Sequence, residues 1–461
     1  MLAIARKKKY FVRHLAFLMV VLASLMNNIK AQILPVLQII IDKLKAHQDL
    51  HIEDVAFVCV QHLLFTTADL IKALIILGAQ PKNIHITGKI YSTCPEVIEE
   101  IIKIGVVYHY NTQPQQLGSF NDYFNNDIIN MWNKISSAII HTKCNTIVIL
   151  DDGSKCIANI PKFLSDNYRV FAVEQTSSGV AQINKNNATI PVINVAFSAA
   201  KQLLESPMIA RAVVSKLGSF LSLHTDNLAC GVVGLGVIGR AVVERLLELN
   251  RKVVVYDKVK EKYNFINLNA VKVANSSQLL FQEADYIFGC TGEDIAESID
   301  INEIQRTKNL ISCSSQDIEF RSFLKFIQYF SRNNYPNVLD NIDFPIKYGS
   351  IKIFRGGYPI NFDNSGESVP AQYIQLTRSL LLGGVIQAIF HLLQEPKPLA
   401  KQYMLHPKIQ KLIVQLLIEN MTSNIFNERE IANFRDEEWI KNNSQGQYIT
   451  SEILQKNFTV L

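Results

Sequence analysis

The chain has 461 residues, enough for two or three domains that each bury a core. Hydrophobic residues make up 48% and charged ones 19%, a globular balance. A net charge of +5, from 46 basic and 41 acidic residues, is too mild to imply a nucleic-acid partner. In chain order, Arg6-Lys7-Lys8-Lys9 reads as a solvated end ahead of the apolar run Leu15–Met26. That run, about 12 residues, is too short to span a bilayer. Without a small-x-small cleavage site it reads as a leading helix of a cytoplasmic protein, with a signal segment or anchor over 1–33 as the alternative. Helical periodicity follows over Val36–Leu44 and Thr67–Leu77. "VAFVCV" (55–60) and "TIVIL" (146–150) read as buried strands, with "KNIHIT" and "VVYHY" as shorter ones. This alternation predicts a mostly parallel α/β domain over 34–205. A helix from Met208 to Leu221 then leads into a second unit.

The second unit opens with "CGVVGLGVIGRAVVERLLELNRKVVVYD" (230–257). An apolar strand ends in Gly234-Leu-Gly236-Val-Ile-Gly239, a helical pattern follows, and a second strand ends at Asp257. The first glycine allows the turn, the second lets backbone approach a pyrophosphate, and the third lets helix and strand pack closely. The backbone N–H groups of Val237 and Ile238 open the helix and face the phosphates. Asp257 stands where a carboxylate accepts the adenosine ribose diol and repels a 2′-phosphate, which favours NAD over NADP. Later strands are "ADYIFGCTG" (284–292) and "NLISCSS" (309–315). Thr291 and Gly292, small residues after the first of these, are candidates to face the cofactor. "GSIKIFRGGYPINF" (349–362) looks like hairpin strands, and 373–393 like a long helix. Seven cysteines, without CxxC or Cys/His spacing, suggest reduced thiols and no metal site.

The architecture predicted is α/β and bilobal. A Rossmann NAD-binding domain (206–344) is inserted after a substrate domain built from 34–205 and a returning segment of about 345–395, with 396–461 as a C-terminal extension.

Three stretches ahead of the glycine turn carry a family resemblance. "ILDDGSKC" (149–156), "FAVEQTSSGV" (171–180) and "IPVINVAFSAAKQLLES" (190–206), in that order, resemble adenosylhomocysteinase. The likeness covers about 34–395. It implies tightly bound NAD, a homo-oligomer and a nucleoside-like small-molecule substrate whose 3′-hydroxyl is oxidised so that homocysteine can be eliminated. By that resemblance Lys201 assists the oxidation with Glu205 beside it, His62 lies near the leaving group, and Asp152 faces the substrate. Glu174 and Gln175 bind the ribose, while Thr176 contacts ribose or cofactor. Ser177 and Ser178, small hydroxyls before a glycine, suit a phosphate or ribose contact.

The chain departs from the family's pattern at the substrate side. A glutamate has become Gln175, which hydrogen-bonds but cannot act as a base. The family's aspartate is Glu205, an asparagine is Ala196, and the histidines of two further motifs are missing from "SSQDIEF" (314–320) and "GESVPAQY" (366–373). Three readings therefore stand at this point: an NAD-binding relative acting on another nucleoside or hydroxylated molecule, a true S-adenosylhomocysteine hydrolase with a rebuilt site, and a non-catalytic NAD-binding regulatory homologue.

Overall fold

A computed structural model describes residues 33–47, 50–218, 228–331, 337–363, 365–420 and 426–435. The leading helix, signal or anchor expected over 1–33 and the far C-terminal segment fall outside these, apart from Ile33.

The first unit alternates helix and strand: α1 (Pro35–His47), β1 (Val55–Val60), α2 (Phe65–Ile76), β2 (Ile84–Thr87), α3 (Pro95–Lys103), β3 (Val107–Tyr108), α4 (Phe120–Ile139), β4 (Thr146–Asp151), β5 (Arg169–Glu174), α5 (Ser177–Asn186) and β6 (Val192–Asn194). β1 and β4 are buried at every residue, the signature of central parallel strands covered on both faces. β1 pairs in parallel with both, Val60 opposite Thr87 on β2 and Cys59 opposite Leu150 on β4. The chain thus winds outward through β2 and β3, returns, and winds the other way through β4, β5 and β6. The strand order reverses between β1 and β4, and at such a switch point the carboxyl-end loops part to leave a crevice.

After α6 (Ser206–Lys216) a second sheet repeats the plan with β7 (Ala229–Val233), α7 (Val237–Glu248), β8 (Lys252–Tyr256), β9 (Lys272–Val273), α8 (Ser277–Glu283), β10 (Tyr286–Gly289), β11 (Lys308–Ser312), α9 (Arg321–Ser331), β12 (Ile342–Ile346) and β13 (Gly349–Ile353). Its order is β12-β13-β11-β10-β7-β8-β9, so its switch point lies between β7 and β10. All pairs are parallel except the β12–β13 hairpin. This is the Rossmann-type arrangement, and the fold is two parallel-dominated α/β units.

The chain then returns through α10 (Ala371–Gln394), β14 (Gln402–Met404), α11 (Pro407–Asn420) and α12 (Glu428–Arg435). β14 adds an edge strand to the first sheet beside β6. α10 is apolar around its whole circumference because it is a core helix, packed between β5, α2 and α11 and buried along nearly all its length.

Two domain boundaries shift from those read in the sequence. The hairpin 342–353 belongs to the second sheet, because β13 pairs with β11, so the return begins after residue 353 rather than at 345. Residues 402–420 complete the first unit rather than extend beyond it. The helix expected over 208–221 is α6, and 219–221 lie outside the described residues.

The units share an aromatic joint. Tyr91 packs on Phe120 and Tyr358, with centroids 5.4 and 5.0 Å apart, inside one continuous apolar core that reaches both sheets.

Candidate functional site

The glycine turn closes on itself between β7 and β10. Gly234 adopts φ +95°, a conformation suited to glycine, and its N–H donates to the Tyr256 carbonyl at 2.8 Å. A Cβ on Gly239 would collide with the carbonyl oxygen of Gly234, whereas one on Gly236 would meet no protein atom within 4 Å. The third glycine is therefore needed for packing and the second faces open space. Val237 and Ile238 start α7, whose first turn has neither a side-chain cap nor an acidic residue. Those N–H groups remain available to an anion.

Asp257 directly follows β8, and its carboxylate already braces the turn. It accepts from the Leu235 amide at 2.6 Å, the Val259 amide at 2.8 Å and Lys262 Nζ at 3.0 Å. Burial works against its charge, yet these donors hold its pKa below the ordinary carboxylate value.

The opposite wall of the turn is β10's exit loop. Glu319, fully buried, accepts from the Thr291 amide (2.7 Å), the Thr291 hydroxyl (2.8 Å), the Gly292 amide (2.6 Å) and the Ser314 hydroxyl. Thr291 and Gly292 thus lie beside the glycine turn, Thr291 Cγ2 being 2.9 Å from where a Gly234 Cβ would stand. Burial pushes the Glu319 pKa up to about 7, against the pull of those donors.

The first sheet gathers a charged cluster at its own switch point. His62 follows β1 and Asp152 follows β4. His62 Nε2 lies 3.2 Å from Asp152 Oδ2, and His62 Nδ1 lies 2.5 Å from Ser92 Oγ. Lys89, wholly buried, pairs with Asp152 Oδ1, and the Gln175 amide donates to Oδ2. Burial opposes ionisation of Asp152, but Lys89 and His62 hold its pKa well below the usual range. Burial lowers the pKa of His62, so the ring is neutral at pH 7. With Nε2–H donated to Asp152, Nδ1 accepts from Ser92. The ring stacks on Phe362 at 4.3 Å.

Lys201 and Glu205 pair at 2.6 Å on a π-helical turn (Lys201–Glu205) that precedes α6. Pro207 lacks the N–H that a regular helix would return to Leu203, which accounts for the widened turn. Arg378, buried in α10, donates from Nε to the Thr66 hydroxyl at 3.3 Å, and burial lowers its pKa against the opposing pull of nearby carboxylates, Glu367 first. Glu367 in turn accepts from the Thr66 amide (2.6 Å) and hydroxyl (3.0 Å) at the start of α2.

Glu174 and Thr176 serve the backbone. The buried Glu174 carboxylate accepts from the amides of Gly153 (3.1 Å), Ser154 (2.8 Å) and Thr176 (2.7 Å) and from the Thr176 hydroxyl (2.7 Å). Thr176 also caps α5 through the Gly179 amide at 3.0 Å, and Ser177 and Ser178 form that helix's first turn. A Cβ on Gly179 would overlap the Glu174 carboxylate. His62, Asp152 and Gln175 therefore come together, Lys201 and Glu205 form a separate pair, and Thr176–Ser178 sit on the first sheet's side. Sequence reading did not single out Lys89, Ser92, Glu319, Glu367 or Arg378. Among the described residues no group of three or more His, Cys, Asp and Glu side chains could hold a metal ion.

The two clusters share a wall. The loop after β2 that carries Lys89 and Ser92 also carries Tyr91, whose hydroxyl accepts from the Gln316 amide at 3.3 Å, in the loop that leads to Glu319.

Residues 195–308 match a family described as D-isomer specific 2-hydroxyacid dehydrogenase, NAD binding domain. Two uncharacterized proteins of Mycobacterium tuberculosis, from strains CDC 1551 / Oshkosh and ATCC 25618 / H37Rv, are each 29% identical over 354 residues, 76% of this chain and 67% of theirs. Among solved structures, the NAD-complexed D-isomer specific 2-hydroxyacid dehydrogenase of Lactobacillus delbrueckii ssp. bulgaricus is 15% identical, covering 60% of this chain and 96% of that one at a TM-score of 0.33. A 2-hydroxyacid dehydrogenase of Ketogulonicigenium vulgare Y25 is 11% identical, covering 76% and 98% at 0.32.

The second unit is a Rossmann NAD-binding domain, and NAD is its cofactor. This match corrects the resemblance to adenosylhomocysteinase and the three functional readings built on it: residues 195–308 are similar to a different NAD-binding family. The physical reason lies in the motifs that carried the likeness. Asp151-Asp152-Gly153 and Glu174 to Gly179 form a backbone clamp between two strand exits, with Glu174 as its hub, and such a clamp is useful to a parallel sheet whatever the substrate.

Proposed function

We propose that the chain is an NAD-dependent oxidoreductase acting on a small 2-hydroxy or 2-oxo acid, with His62 exchanging the proton. Bound NAD⁺ would supply the acceptor for a hydride from the carbinol carbon. The hydroxyl must then lose its proton, so that a hydroxy acid and NAD⁺ give an oxo acid, NADH and H⁺. A neutral histidine oriented by a carboxylate suits that proton transfer. The substrate hydroxyl, directly or through Ser92 Oγ, hands its proton to His62 Nδ1. Asp152, kept ionised by Lys89, stabilises the imidazolium that results. A cation for the substrate carboxylate is supplied by Lys201, whose side chain is 16% exposed against 1% for Lys89 and whose ammonium otherwise pairs with Glu205.

The observation that carries this reading is the position of the His62–Asp152 pair: it sits at the first sheet's switch point, on the wall shared with the NAD domain. The match of 195–308 supports the choice of hydroxy acids. The test is a spectrophotometric assay with 2-oxo acids plus NADH and 2-hydroxy acids plus NAD⁺. Turnover with one member, reduced about 10²–10⁴-fold in His62→Asn, is expected. Protein that holds NAD yet turns over no acid in either direction would refute the proposal.

A further inference from the structure

Cys290 and Cys313 leave adjacent parallel strands at the edge of the NAD site. Gly289 and Ser312 are register partners on β10 and β11, so the next residue on each strand is a cysteine. The Cys313 amide donates to the Gly289 carbonyl at 2.9 Å, which carries the pairing one step past the strand ends. Neighbouring strands lie about 4.8 Å apart and side chains in register project to the same face. That spacing falls within the roughly 4.4–6.8 Å between Cα atoms that a disulfide accepts. Both thiols are free, both are partly accessible, and both pack on the apolar core beneath the Rossmann helices. The other five cysteines are buried.

Cys290 also touches the glycine turn. Its carbonyl oxygen is 2.7 Å from where a Gly234 Cβ would stand, and its Cβ is 3.3 Å from where a Gly239 Cβ would stand. Any change at Cys290 is therefore felt by the backbone that cradles the pyrophosphate. The neighbouring Cys313 thiol, and then burial, push the Cys290 thiol well above its ordinary pKa.

We propose that Cys290 and Cys313 form a reversible dithiol–disulfide site that lowers the affinity of the adjacent turn for NAD when oxidised. The oxidant is a peroxide. Cys313 gives up its proton and its sulfur attacks the O–O bond, becoming a sulfenic acid while the proton leaves on the departing oxygen as water or alcohol. The second thiol displaces the sulfenic oxygen as water and the S–S bond forms. Two thiol hydrogens and two electrons leave the protein, and the peroxide is reduced. Drawing the two sulfurs together shifts Cys290 against Gly234 and Gly239.

The experiment treats the full chain with hydrogen peroxide, alkylates it, maps the peptides by mass spectrometry, and measures NAD binding by calorimetry before and after. A linked Cys290–Cys313 peptide is expected, with NAD bound roughly tenfold more weakly, a typical coupling between two sites, and recovery in dithiothreitol. Cys313→Ser should remove the peroxide response of NAD binding. As a second probe, phenylarsine oxide, which bridges paired thiols, should protect both cysteines from alkylation in the unmodified chain. Independent alkylation of the two after peroxide, or a linked peptide with unchanged NAD affinity, overturns the proposal. Neither readout uses a hydroxy acid, so its failure is separate from failure of the proposed activity.

Discussion

His62 Nε2 lies 3.2 Å from Asp152 Oδ2, across the point where the first sheet reverses its strand order. Asp152 is also the carboxylate that pairs with the buried Lys89 ammonium. Asp152→Ala strands that charge in the core, and removing one member of a buried pair costs about 3–5 kcal/mol. Urea unfolding should show a loss of that size. A loss below about 1 kcal/mol would mean that Lys89 finds water instead.

The glycine turn separates folding from binding. Gly236→Ala meets no protein atom, so its melting temperature should match the parent while NAD affinity falls sharply. Gly239→Ala collides with the Gly234 carbonyl and should lose stability as well. Calorimetry and thermal melts on the two variants distinguish the effects. Equal stability in both would contradict the assignment of the third glycine to packing.

Dinucleotide choice rests on Asp257 and its neighbour Lys262, 3.0 Å away. Asp257→Ala removes the repulsion toward a 2′-phosphate and leaves Lys262 free to attract it. The ratio of NADPH to NADH affinity should rise in this variant by about tenfold or more. Asp257→Ala,Lys262→Ala should give back most of that rise, and an unchanged ratio in the single variant would show that the acid does not face the ribose.

Glu319 sets a pH dependence of stability. Its folded pKa of about 7 stands above its ordinary value of 4.5. The folded state therefore binds a proton that the unfolded state has lost between those values. The stability it contributes is fully present below about 4.5 and is lost as pH rises through 7. Denaturant midpoints at pH 5 and pH 8 should show the parent losing ground to Glu319→Gln as pH rises. Parallel midpoints would place the Glu319 pKa near its ordinary value.

The parallel strands and the βαβ unit were legible because fully buried strands are written as unbroken apolar runs, as in Val55–Val60, and the glycine turn with Asp257 has a fixed spacing. The sheet membership of the hairpin was not. The pairing of β13 with β11 joins residues some forty positions apart, and no local pattern records it. β14 is three residues in a polar stretch and carries no strand signal. Lys89 was missed because lysines are mostly exposed; only its partner Asp152 makes it a core residue. Arg378 did carry a signal, a lone cation in the apolar run of α10. Residues 314–320 draw notice for Ser315, where a histidine was expected, while Glu319 holds the loop together. The adenosylhomocysteinase likeness misled because Asp151–Gly153 and Glu174–Gly179 form one structural clamp, which says little about the substrate.

The central claim is that a hydride passes between a hydroxy-acid carbon and NAD on this chain. The most direct measurement is a single turnover with a 2-hydroxy acid deuterated at C2 and protein loaded with NAD⁺, followed by mass analysis of the released nicotinamide nucleotide. The account predicts NADH carrying the deuterium, and its formation should be slowed in His62→Asn. Nucleotide recovered as unlabelled NAD⁺, with the acid unchanged across the substrate panel, would contradict it.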